Sequence, residues 1–84
     1  MITNNGTEKW QHFAENMRLR RMVAGYTQHE LCRRAGISTG SVSAYENGKK
    51  CPTLSSAYAI ADALGTTVDG MLEPVNITFG GAEK

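Results

Sequence analysis

Seven of the nine basic residues of this chain fall between Arg18 and Lys50: Arg18, Arg20, Arg21, Arg33, Arg34, Lys49 and Lys50. Only Glu30 and Glu46 oppose them there, so this segment carries +5 while the stretches before and after it carry −1 and −3. A concentration of that kind suits the neutralisation of phosphates, which a net charge of +1 taken alone would hide. A solvated charged face gives the same count, so charge by itself leaves both readings open.

Other chemistry is poorly encoded. No Ser/His/Asp set, paired carboxylates or phosphate-cradling glycine loop is visible, so no catalytic residue and no cofactor is expected. Ser38, Ser41, Ser43, Ser55 and Ser56 read as helix caps and helix surface. Cys32 and Cys51 lie 19 positions apart with no CxxC, and His12 and His29 share no ligand spacing. Neither a metal site nor a disulfide framework is expected. Cys32 fits a helix interior as a small hydrophobe, whereas Cys51 precedes Pro52 in a loop.

The elements that must position the basic segment are helical. With 84 residues, 40% of them hydrophobic, the chain has room for one core and no second folded domain. No apolar run reaches the roughly 18–20 residues of a membrane span, and the N-terminus lacks a signal-peptide layout. A cytoplasmic protein without membrane contact is expected.

Trp10, Phe13, Ala14, Met17, Arg21 and Ala24 recur at helical spacing and define a first helix that ends at Gly25. Arg21 is the exception on that apolar stripe, and a buried guanidinium needs an acidic partner or carbonyls. Thr27 and Glu30 form a capping box opening a second helix to about Ala35, with Leu31, Cys32 and Ala35 inward. Gly36 supplies the left-handed turn, after which Ile37 tucks into the core. Ser38 caps a third helix with Val42 and Tyr45 inward and Thr39, Gly40, Ser41, Ser43, Ala44 and Asn47 outward or lateral; Gly48 stops it. That outer face carries short side chains where a surface helix ordinarily carries long charged ones. Something can approach it closely.

Thr53 caps a fourth helix with a stripe of Leu54, Ala57, Ile60, Ala61 and Leu64 ending at Gly65, and a short fifth helix spans roughly Val68 to Leu72. Beyond Pro74, the tail from Val75 to Lys84 alternates weakly and reads as an added strand, a dimer contact, a linker remnant or disorder.

Two short helices joined by a glycine turn make the generic DNA-reading unit. More specifically, Tyr26-Thr27-Gln28-His29-Glu30-Leu31, Ala35-Gly36-Ile37-Ser38, Ser43-Ala44-Tyr45-Glu46-Asn47-Gly48-Lys49 and Pro52 together resemble the Cro/C1-type (XRE) helix-turn-helix family, over residues 10–72. The resemblance implies an all-α, compact five-helix, lambda-repressor-like DNA-binding domain at 10–73, with the helix-turn-helix unit at about 27–48. Residues 1–9 would be an N-terminal arm and 74–84 a tail. It also implies an ion pair between Arg21 and Glu46, a structural feature and not a catalytic one.

By the same resemblance Gln28 stands against the DNA backbone at the start of the second helix. Thr39, Gly40, Ser43 and Ala44 match base-facing positions, and Ser41, Asn47, Lys49 and Lys50 lie where backbone contacts are expected, beside the cap residue Ser38. Position 40 has no side chain and position 44 only a methyl, so direct base reading should be sparse and DNA shape correspondingly important. The implied function is a transcriptional regulator, most simply a repressor that reads a palindromic operator in duplex DNA as a homodimer. Met71, Leu72, Trp10 and the tail are candidates for the dimer surface. The alternative is a protein-interaction module on the same scaffold, an antitoxin bound to its toxin or an adaptor bound to a co-regulator.

Overall fold

The computed structural model describes residues 5–75, with side chains from Glu8 onward. The helices run Asn5–Ala24 (α1), Gln28–Ala35 (α2), Thr39–Glu46 (α3), Leu54–Ala63 (α4) and Val68–Met71 (α5). No strand occurs among the described residues. Helix α1 starts at Asn5, so the second half of the expected arm is helical. The tail beyond Val75 lies outside the described residues.

Each helix contributes to one core. Phe13 and Met17 of α1, Leu31 and Cys32 of α2, Val42 and Tyr45 of α3, Ala57, Ile60 and Ala61 of α4, and Met71 of α5 are buried together. Burying each of the larger side chains contributes about 1.5–3 kcal/mol, which is what holds helices this short in place. Two expected stripe members turn outward: Ala24 is exposed in the last turn of α1, and Leu54 is 78% exposed. Both stand at helix ends, where the stripe runs on past the edge of the core. Ile37 is partly buried against the core and does not enter it fully.

The turn that joins α2 to α3 is tied from several sides. Gly36 takes φ 71°, a conformation that a side chain would strain. Its N–H donates to Arg33 O at 3.3 Å, and the Ile37 N–H donates to Cys32 O at 3.0 Å. The buried Cys32 thiol lies 3.2 Å from Ser38 O and 3.1 Å from Thr39 O, linking α2 to the first residues of α3.

One buried polar side chain falls off the apolar stripe of α1. Asn16 is 1% exposed, and its Nδ2 donates toward His12 O at 3.1 Å, Met71 O at 3.1 Å and Glu73 O at 2.9 Å. Its Oδ1 accepts from Arg20 Nε at 3.1 Å. Asn16 thereby satisfies carbonyls at the C-terminal end of α5 and fixes that helix to α1.

Candidate functional site

Three elements meet around one carboxylate. Arg21 Nε donates to Glu46 Oε2 at 2.7 Å and its NH2 nitrogen to Glu46 Oε1 at 3.2 Å, while its NH1 nitrogen donates to Tyr26 O at 2.8 Å. The Glu46 side chain is 2% exposed, so this two-pronged pair is shielded from water. Arg21 sits on the core stripe of α1 and Glu46 ends α3, so the pair fixes the far end of α3 against α1.

Gln28, the first residue of α2, joins the same carboxylate: its Nε2 donates to Glu46 Oε1 at 3.0 Å. Nothing in the spacing of Gln28 and Glu46, 18 positions apart, announces that contact. The groove bounded by Trp10, Phe13, Tyr45 and Pro52 is about 680 Å³ and also borders Glu46. With both oxygens already accepting from Arg21 and Gln28, Glu46 is poorly placed to act as a base toward that groove.

Helix α3 presents the expected outward face. Val42 and Tyr45 are buried beneath it. Thr39, Gly40 and Asn47 are exposed, and Ser43 and Ala44 half-buried, at the three- and four-residue steps that align them along one side. The helix is eight residues, about 12 Å long, comparable to the width of a DNA major groove. Lys49 and Lys50 are exposed just beyond it, and their N–H groups close the helix on Ala44 O at 2.9 and 3.4 Å.

Ser38 has the extended backbone of a cap residue, but its side chain makes no capping bond. The hydroxyl instead meets that of Ser41 at 2.6 Å. On the same helix, Asn47 Nδ2 donates to Ser43 Oγ at 3.3 Å. These short polar groups engage one another one turn apart, which keeps the face low.

The capping box of α2 is half formed. Thr27 Oγ1 accepts from Glu30 N at 3.0 Å. The Glu30 carboxylate turns away to Arg33 at 2.8 Å and Arg34 at 2.7 Å, since two cations three and four residues on compete better for it than one backbone donor. Arg34 also covers the Tyr26 ring, 4.5 Å from its centroid. The Arg33 hydrogen bond holds the Glu30 carboxyl below its ordinary range; partial withdrawal from water opposes this, and Arg34 reinforces it.

A carboxyl whose pKa is depressed on folding contributes stability above its unfolded value, and that contribution is lost as pH falls through the folded value. Native protein should therefore exceed Glu30→Gln modestly in urea midpoint at pH 7, and the gap should close below about pH 4.5. A gap of constant size at low pH would show that the two arginines do not sense the carboxylate charge.

Among the described residues no group of three His, Cys, Asp or Glu side chains is arranged to hold a metal, and Cys32 and Cys51 are free, the first buried and the second exposed. No described helix is long and apolar enough to cross a membrane. Of the expected dimer candidates, Met71 is fully buried and unavailable, and Trp10 and Leu72 pack partly against the core. Among the described residues, the large exposed apolar side chains are instead Met22, Val23, Leu54 and Tyr58.

Residues 17–71 match the helix-turn-helix family. An uncharacterised HTH-type transcriptional regulator of Sinorhizobium fredii, y4dJ, is 39% identical over 64 residues, covering 75% of this chain and 82% of its own length. The crystal structure of a hypothetical transcription factor from Neisseria, NHTF, superposes with a TM-score of 0.73 at 37% identity, covering 77% of this chain and 75% of that one.

Proposed function

The chain belongs to the helix-turn-helix family, and from that membership we propose that it is a sequence-specific, duplex-DNA-binding transcriptional repressor acting as a homodimer in the cytoplasm. Helix α3 enters the major groove. Thr39, Gly40, Ser43 and Ala44 face base edges, and Gln28, Ser38, Ser41, Asn47, Lys49 and Lys50 meet the sugar-phosphate backbone. The observation that carries this reading is the low outer face of α3, flanked by exposed Lys49 and Lys50 and braced from beneath by the Arg21–Glu46 pair.

Short side chains let the helix sit deep, where the Ala44 and Thr39 methyls can meet thymine methyl groups. No arginine or glutamine projects from the face to grip a guanine or adenine with two bonds. Operator preference then leans on DNA shape and on the register set by backbone contacts. One α3 covers a half-site, so a palindrome read by two copies, with half-sites about 34 Å apart, supplies the remaining discrimination. Leu54 and Tyr58, four residues apart on α4 and both exposed, support that dimer.

Selection from a random duplex pool tests all of this. Palindromic winners are expected, with affinity falling steeply as salt rises. Lys49→Ala should weaken every winner alike and reduce the salt slope by about 1. Leu54→Glu should leave half-site binding intact while abolishing cooperative binding to the full palindrome. Weak binding that ignores sequence would sink the repressor reading and favour an interaction module. Glu30 gives that second reading some support, because it already neutralises part of the charge of Arg33 and Arg34.

A further inference from the structure

From the shared carboxylate we infer that Glu46 is a positioning residue for DNA binding: held by Arg21, it sets the orientation in which Gln28 presents its amide to a phosphate. This rests on the DNA-binding reading above and adds a role that a structural ion pair does not require. The Glu46 side chain is 2% exposed and receives two arginine N–H bonds, of 2.7 and 3.2 Å, which keep it an acceptor. An acceptor-only partner determines which way round a glutamine amide lies, because only Nε2 can donate to it. With one Nε2 hydrogen committed to Glu46 Oε1 at 3.0 Å, the second N–H is left in a defined direction as a donor.

A phosphate oxygen needs such a donor, and the carbonyl end of the amide would repel it. Unbraced, a glutamine side chain samples many rotamers and both amide faces, and binding must then order it. Braced by Glu46, it is ordered before DNA arrives. The chain of contacts runs from α1 through the end of α3 to the start of α2, so Arg21 acts on Gln28 without touching DNA.

A double-mutant cycle on the selected operator tests this, using the full chain and the single variants Gln28→Ala and Glu46→Gln together with their combination. Folded fraction is measured by circular dichroism at the binding temperature, and affinities are compared per folded molecule. Gln28→Ala should cost about tenfold in the native background and less than about twofold in the Glu46→Gln background. A carboxylate that only stabilises the fold predicts the same cost in both, and that result overturns the proposal.

Arg21→Lys keeps the charge but loses the fork, and it serves as the second background if Glu46→Gln does not fold. The Gln28 side-chain amide protons give an independent readout by NMR on native protein. They should be shifted and widely separated before DNA is added, with one shifting further on titration. An averaged, unperturbed pair would overturn the proposal equally. Absence of any DNA binding by native protein would overturn it together with the function, whereas normal binding with an additive cycle removes the positioning role alone.

Discussion

Glu46→Ala is expected to lower the unfolding free energy by about 3–5 kcal/mol, and the melting temperature by about 15 °C or more. The size follows from what is left behind. Arg21 would keep a single carbonyl partner, Tyr26 O, and the Arg21 side chain, only 13% exposed, would hold a charge with no counter-ion. Against a total stability on the order of 5–10 kcal/mol for a chain of this length, that is a large fraction.

Removing both partners should be much milder. Arg21→Met combined with Glu46→Leu fills similar volume without a buried charge, and such replacements are often close to neutral. The double variant should recover most of the loss, short of the part owed to Tyr26 O and the Gln28 amide, which lose their partners. Chemical denaturation of the two single variants and the double one decides this. Equal, additive losses would mean that the pair stabilises by ordinary packing and not through its charges.

Asn16→Leu should cost about 2–4 kcal/mol although the two side chains branch alike, because Met71 O would lose its buried donor, Glu73 O a part-buried one, and two bulkier methyls must fit the same space. The damage should be local before it is global. Amide hydrogen exchange is expected to show α5 and the residues around Glu73 opening well below the global unfolding free energy, with α2 and α3 still protected. Uniform loss of protection across all five helices would show that Asn16 is merely one more core contact.

Arg21 was legible in the sequence because it breaks an apolar stripe, and a family resemblance supplied Glu46 as its partner. Asn16 was not, because it lies beside the stripe among polar neighbours, and only the return of α5 from 55 residues later buries it. The Thr27 to Glu30 spacing correctly marked the start of α2. It misled about the glutamate, and the signal that could have corrected it was present: Arg33 and Arg34 stand three and four residues on. Leu54 reads as core by periodicity alone, since periodicity cannot say where the core stops along a helix. The outer face of α3 was recognisable by its small residues, whereas the bond from Gln28 to Glu46 depends on tertiary placement.

Gly40 stands in that outer face with a negative φ, and beyond its chain neighbours and the backbone of its own helix no described atom lies within 4 Å of where a Cβ would sit. Residues that hold the domain together and residues that face outward are thus largely separate sets. A lineage carrying this fold can try different side chains at position 40 without repacking the interior, and most would raise helix propensity by up to about 1 kcal/mol over glycine. Folding therefore makes no demand for glycine at that position. Under the proposed docking, one codon is enough to add a base contact, so operator choice can diverge between descendants while the scaffold stays the same.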